Sequence, residues 1–282
     1  MKSPRGISFL LFALFILLAA CMRHQSHSYW PRNGARFEDV TWEVPLADSA
    51  SVLSEASGQW DLPKPPNGIP LKIAIVLHQK PENASYKNLI GRIDQETFRA
   101  DGPILHEFYR FGKTGVLLLG YEGSDSTKLL TIFDPPLVMV PPDPATLGSE
   151  FISESKSKVW DAKADTFRQE LTTRMRLTAL RKGTVWMDTM ARSAFLCRMS
   201  LSQDRTIGFG GTGLIVPDAV MLESQVLFVE GFGPVLEWGI RSRQKIAAQA
   251  EGMTPPGPGP ERLDSPEFCV EVTLHRMVKS QN

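Results

Sequence analysis

Phe167-Arg168-Gln169-Glu170-Leu171-Thr172-Thr173-Arg174-Met175-Arg176-Leu177-Thr178-Ala179-Leu180 (FRQELTTRMRLTAL, 167–180) decides between a helical and a β reading of this chain. Two periods compete in it. Phe167, Leu171, Met175 and Ala179 lie four apart, which one face of a helix would gather. Phe167, Gln169, Leu171, Thr173, Met175 and Leu177 also alternate with Arg168, Glu170, Arg174 and Arg176, as a half-buried strand requires. The density of threonine tips the balance. A β-branched side chain loses rotamer freedom against a preceding helical turn and packs well on a pleated surface. The segment is therefore expected to be a strand.

The neighbouring segments agree. Leu71 to Leu77 places Ile73, Ile75 and Leu77 on one face. Ile104–Phe111 and Val116–Tyr121 flank Gly112-Lys113-Thr114-Gly115 and read as a hairpin. Leu129 to Phe133 is a strand expected to stop at Asp134-Pro135-Pro136, because proline has no amide for the ladder. Further strands are expected at Phe151–Trp160, Thr184–Met187, Ser193–Leu201, Ala219–Glu230, Val235–Arg241 and Phe268–Met277. Tyr29 to Val44 reads as a first strand pair or an extended lead-in with Trp30, Phe37 and Trp42 as buried anchors. Short helices are expected at Asp48–Ala56, capped by Asp48 or Ser49, and at Arg243–Ala250. Pro63–Pro70 and Met253–Pro260 are connections. Many short strands with regular turn signals imply a mainly β, antiparallel curved sheet or half-barrel with one or two short helices. No solenoid repeat is present.

The N-terminus supplies an address. Lys2 and Arg5 precede an apolar run from Ile7 to Leu18, and Leu18-Ala19-Ala20 leads into Cys21. The ending resembles the lipobox of bacterial lipoproteins, in which the cysteine is acylated and becomes the mature N-terminus. The competing reading is an uncleaved anchor, since the 17 uncharged residues between Arg5 and Arg23 reach spanning length. Apolarity ends at Leu18 and small residues follow, which favours a processed signal. The organisation expected is a signal peptide over 1–20, a flexible tether over 21–28, and one β-rich envelope domain over 29–282. Two or more acyl chains on Cys21 would hold such a domain on a membrane. Met22 stands where enterobacterial inner-membrane lipoproteins carry Asp, so the resemblance implies the outer membrane, facing the periplasm.

Composition limits the function further. Without Lys2 and Arg5 the 31 basic residues fall to 29 against 31 acidic ones, and no basic stripe offers a nucleic-acid surface. Cys197 and Cys269 remain after Cys21 is assigned. An envelope location permits a disulfide between them, or they are two unpaired thiols. Cys197 shares an apolar strand face with Phe195, Met199 and Leu201, whereas Cys269 falls on a polar face with Glu271 and Thr273.

Catalytic motifs fail one by one. Gly208-Phe209-Gly210-Gly211-Thr212-Gly213 spells G-x-G-x-x-G, but Pro217 blocks the helix that a pyrophosphate site needs, leaving a glycine-rich β-turn. Gly112-Lys113-Thr114 lacks the upstream P-loop glycine, which is Glu107 here. His106-Glu107 lacks the second zincin histidine, which is Arg110. The histidines His24, His27, His78, His106 and His275 show no ligand spacing, and no G-x-S-x-G elbow exists. Acidic residues such as Glu122, Asp125 and Glu237 read as surface carboxylates. No metal or other cofactor is expected.

Two apolar stretches stand out, Phe133–Pro144, read as a proline-framed loop, and Gly231–Trp238, read as a turn feeding a strand. With Tyr29-Trp30-Pro31 and Gly34 they resemble the landmarks of a group of uncharacterised bacterial envelope proteins. That group is thought to share a curved antiparallel half-barrel with the carriers of the lipoprotein-localisation pathway. The resemblance spans Tyr29 to about Arg241. Ser149-Glu150-Phe151 replaces the aromatic that usually follows the middle segment. It implies a fold and an apolar cleft, and transfers no catalytic residue. Pro135, Pro136, Leu137, Met139, Phe232 and Trp238 are the candidate cleft rim. The function expected is a non-catalytic binding module for an apolar ligand or lipid. The alternatives are a structural or assembly partner of the outer membrane and a periplasmic hydrolase without a recognisable motif.

Overall fold

The computed structural model describes residues 26–32, 34–69, 71–77, 95–99, 105–123, 129–142, 146–161, 164–209, 212–240 and 269–278. Cys21, the helix expected at Arg243–Ala250 and the connection at Met253–Pro260 lie outside them. The strands are β1 (Arg36–Pro45), β2 (Ser54–Ala56), β3 (Gln59–Asp61), β4 (Leu71–Leu77), β5 (Gln95–Arg99), β6 (Leu105–Gly112) and β7 (Gly115–Gly123), followed by β8 (Leu129–Val140), β9 (Glu150–Asp161), β10 (Thr166–Met187), β11 (Met190–Phe209), β12 (Thr212–Val229), β13 (Gly233–Ile240) and β14 (Cys269–Val278). The only helical pieces among the described residues are 3-10 turns at Ser26–Tyr29 and Leu46–Ser51.

The molecule is mainly β, as the alternation implied. All fourteen strands join one curved sheet in the order β11-β12-β13-β14-β1-β4-β5-β6-β7-β8-β9-β10-β3-β2. Every pairing is antiparallel except the short parallel contact of β3 with β10. The deciding segment belongs to a 22-residue strand, β10, in which Thr173, Met175, Leu177 and Ala179 are buried and the residues between them are more exposed. β10 pairs with β9 from Thr166 to Thr178 and with β11 from Thr173 to Met187. A bulge between Ala179 and Arg181 turns the strand's phase. Before it the odd-numbered residues face the inside of the curve; after it Val185 faces outward. One extra residue thus lets a single strand serve two cores.

Those cores lie on opposite faces. Inside are Met175 and Leu177 of β10, Phe195, Cys197 and Met199 of β11, and Val226 and Phe228 of β12. Outside are Ala194 and Leu196, Leu227 and Val229, and Val270, Val272 and Leu274 of β14. Burial on both faces explains why these strands read as nearly continuous apolar runs. The outer face is covered by residues 46–62 through Val52, Leu53 and Trp60, the last 1% exposed. The Trp60 indole N–H donates to the Glu55 carboxylate at 2.9 Å.

Three expectations are corrected. The helix expected at Asp48–Ala56 is a 3-10 turn over Leu46–Ser51 with no side-chain cap, followed by the β2–β3 hairpin. Ser57 and Gly58 both take positive φ (53° and 77°), as a two-residue hairpin turn demands. Burial of Trp60 decides here over the local capping signal. Next, β8 does not stop at Asp134. Leu118 pairs with Leu137 and Gly120 with Ile132, so residues 133–136 stand opposite Leu119 alone. Pairing with β9 ends at Asp134. Pro135 and Pro136 therefore fall where no neighbour asks for an amide, and the strand continues to Val140. Pro217 is accommodated in the same way, in a bulge between the Arg205–Val216 and Gln203–Ala219 pairs. Finally, of the two readings of Tyr29–Val44, a strand pair or an extended lead-in, the pair is excluded: after the 3-10 turn at Ser26–Tyr29, β1 finds its partners in β14 and β4.

Candidate functional site

The inside of the curve holds a cavity of about 360 Å³. One wall is apolar. It is built from Leu118, Phe133, Leu137 and Met139 on β7 and β8, Met175, Met199 and Leu201 on β10 and β11, and Leu222, Val226 and Phe228 on β12. Phe228 of this wall stacks on Phe195 at 4.9 Å, with ring planes 8° apart. The other wall, from β13 through β14 and β1 to β6, carries Glu237, His275, Asp39 and Glu107.

The chain segment after the expected tether closes part of the cavity. Trp30 and Pro31 line it, and Trp30 lies 4.8 Å from the Tyr109 ring. Tyr29 meets Phe195 edge-on at 4.9 Å. The Gly231 amide donates to the Ser28 carbonyl at 2.6 Å, tying the segment to the β12–β13 turn. Gly233 has φ +84°, and a side chain there would strike the Pro31 ring. Burial, with the Glu230 carboxylate second, raises the Tyr29 phenol above its ordinary pKa.

The polar wall centres on a pair distant in sequence. β1 and β14 bring Asp39 opposite His275, and His275 Nδ1 lies 2.7 Å from Asp39 Oδ1. Their side chains are 4% and 12% exposed. An ionised carboxylate offers only acceptors, so Nδ1 carries the proton and donates; in the neutral ring Nε2 is then an acceptor. Two residues along, Thr41 and Thr273 share a hydrogen bond at 3.1 Å. Glu237 pairs in register with Thr273. At the β6 end of this wall the Tyr109 hydroxyl donates to Glu107 at 3.0 Å. Among the described residues no group of three or more His, Cys, Asp or Glu side chains is placed to hold a metal ion.

The six candidate rim residues divide. Leu137, Met139 and Phe232 line the cavity, Leu137 as a wall residue only 1% exposed. Pro135 and Pro136 lie outside the lining, Pro135 exposed in the β8 bulge. Trp238 is buried on the outer face instead, packed with the β14 valines. Even-numbered β13 residues Leu236 and Trp238 face outward, whereas Glu237 faces the cavity, so Glu237 is not the surface carboxylate expected.

Cys197 is a free, buried thiol, so the bridge to Cys269 is not formed. β12 and β13 separate their strands, placing them roughly three strand spacings of 4.8 Å apart, beyond the reach of a disulfide. Burial pushes the Cys197 thiol up to about 11.

Sequence reasoning missed Asp39, His275, Glu107, Tyr109 and Tyr121 as lining residues. One signal was present. Asp39 shares strand phase with Phe37, so an acid sits on an apolar face. Its partner could not be found, because 236 positions separate it from His275. Comparison with protein-family models, with curated proteins and with solved structures yields no match.

Proposed function

We propose that this chain is a lipid-anchored envelope protein, held through Cys21, whose β domain binds an apolar ligand within its curve. The observation that carries the reading is the cavity of about 360 Å³ with an apolar wall drawn from five strands. Small-molecule sites commonly span about 300–1,000 Å³ and are mainly apolar with a few placed polar groups. A volume at the low end of that range suits one chain or a compact apolar body. No helix among the described residues is long and apolar enough to cross a membrane; in this proposal the acylated cysteine supplies the attachment.

The test is uptake of Nile red, a neutral apolar dye, by the purified detergent-solubilised protein. Saturable uptake that falls when Met175 and Met199 are both replaced by Trp supports the reading. No saturable uptake overturns it. In whole cells, Cys21→Ala should move the protein to the soluble fraction or leave it as an unprocessed precursor.

A second reading, a hydrolase, is favoured by the Asp39–His275 pair. An imidazole oriented by a carboxylate and set against an apolar cavity is the arrangement of a general base. Turnover of a p-nitrophenyl acyl ester that is lost in His275→Leu would support it; equal turnover by both proteins would remove it.

A further inference from the structure

The polar wall also specifies the ligand's head. We infer that the cavity selects a single-chain amphiphile whose polar end donates hydrogen bonds, an alcohol or an amine, over one ending in a carboxylate. The inference rests on the proposed binding function and narrows it.

The charged residues of these strands take the following register positions. Glu237 lies on β13, His275 on β14 and Asp39 on β1. Lys72 takes the register position opposite Asp39 on β4, and Arg99 takes the position opposite Ala74 on β5, beside the strand that carries Glu107. Asp39 and Glu107 thus each have a cationic residue on an adjacent strand. Glu237 and His275 lie on the other side of β1 from both cations. With His275 Nδ1 engaged by Asp39, Nε2 of the neutral ring is left as an acceptor at the cavity wall.

Neither Glu237 nor His275 Nε2 has a further partner among the described residues, and both residues line the cavity. Glu237 Oε, and Nε2 of the neutral His275 ring, therefore present acceptors at the polar end of an apolar space. A hydroxyl or ammonium group satisfies both. A carboxylate offers no proton and meets Glu237 as a like charge.

The experiment is displacement of bound Nile red at pH 7.5 by dodecan-1-ol, dodecylamine and dodecanoate, which share one chain. Dodecanol and dodecylamine should displace the dye at concentrations at least about tenfold below dodecanoate, the scale of one hydrogen bond to a charged group. An amine advantage over the alcohol would identify an ammonium head; parity would identify a hydroxyl. Glu237→Gln should shrink the amine-to-carboxylate preference at least severalfold, the preference being the ratio of displacing concentrations within one protein. This substitution keeps the side-chain size at a half-buried position and leaves the Asp39–His275 pair intact. Dodecanoate displacing as well as or better than the other two, or a preference unmoved in Glu237→Gln, overturns the inference. Failure of the dye itself to bind would instead overturn the binding function, before any head group is compared.

Discussion

Replacing Trp30 by alanine tests whether residues 28–31 are part of the folded domain. Trp30 is 6% exposed and packs on Tyr109 at the cavity wall. A buried tryptophan hides roughly 200 Å², which at about 25 cal/mol per Å² corresponds to about 5 kcal/mol. That is an upper bound, because the unfolded chain already hides part of this surface. Tryptophan-to-alanine changes in cores cost about 3–5 kcal/mol. Trp30 borders an existing cavity, so its removal enlarges a space already present, and a loss near 3 kcal/mol is expected. Urea unfolding of the detergent-solubilised protein measures the loss. Nile red capacity measures the enlarged space and should rise. A stability change below about 1 kcal/mol together with unchanged dye capacity would refute the seating of residues 28–31 against the cavity.

Cys197 should resist a thiol reagent at pH 8 in the native protein and react only on unfolding, followed in a Cys269→Ser background; rapid native labelling would contradict its burial. Stability should fall as pH rises from about 9 to about 11, because the folded Cys197 thiol keeps a proton that the unfolded one loses. The contribution is complete below pH 9 and amounts to about 2–3 kcal/mol at 1.36 kcal/mol per unit. Tyr29 adds a loss of the same sign. Cys197→Ala should flatten the curve in a pH series of urea midpoints, and an unchanged slope would count against this account. Gly115→Ala should cost about 2 kcal/mol or more, since Gly115 has φ +115° and a side chain there would run into the Val140 carbonyl. An unaltered urea midpoint would show that the β6–β7 turn tolerates another geometry.

Most strands were legible because their signal is local. Alternation in 71–77, the glycine-bounded turn at Lys113–Thr114, and threonines in 167–180 each act within a few residues. The misread places share a different cause. Pro135 and Pro136 look like a stop until the ladders show that neither neighbour needs their amides. The β2–β3 hairpin looks like a capped helix until Trp60 is seen on the outer cluster. Trp238 looks like a cleft residue until β13 is given its phase against β14. In the candidate site, Leu137, Met139 and Phe232 were reachable from apolar proline- and glycine-framed stretches, while the polar wall was not.

Side-chain period and turn chemistry, both properties of neighbouring residues, determine that this chain is an antiparallel β protein and place most of its strands, while β8, β10, β11 and β12 run well beyond the limits read locally and β5 was not foreseen. They also confine the apolar residues to definable strand faces. Which face becomes the cavity and which becomes the outer core is decided in the folded sheet, where a one-residue bulge at Leu180 exchanges inside for outside along a single strand. The meeting of Asp39 with His275 is likewise a tertiary event. It depends on β1 lying beside β14 in one register, and a shift of one residue would turn the pair away from each other and from the cavity.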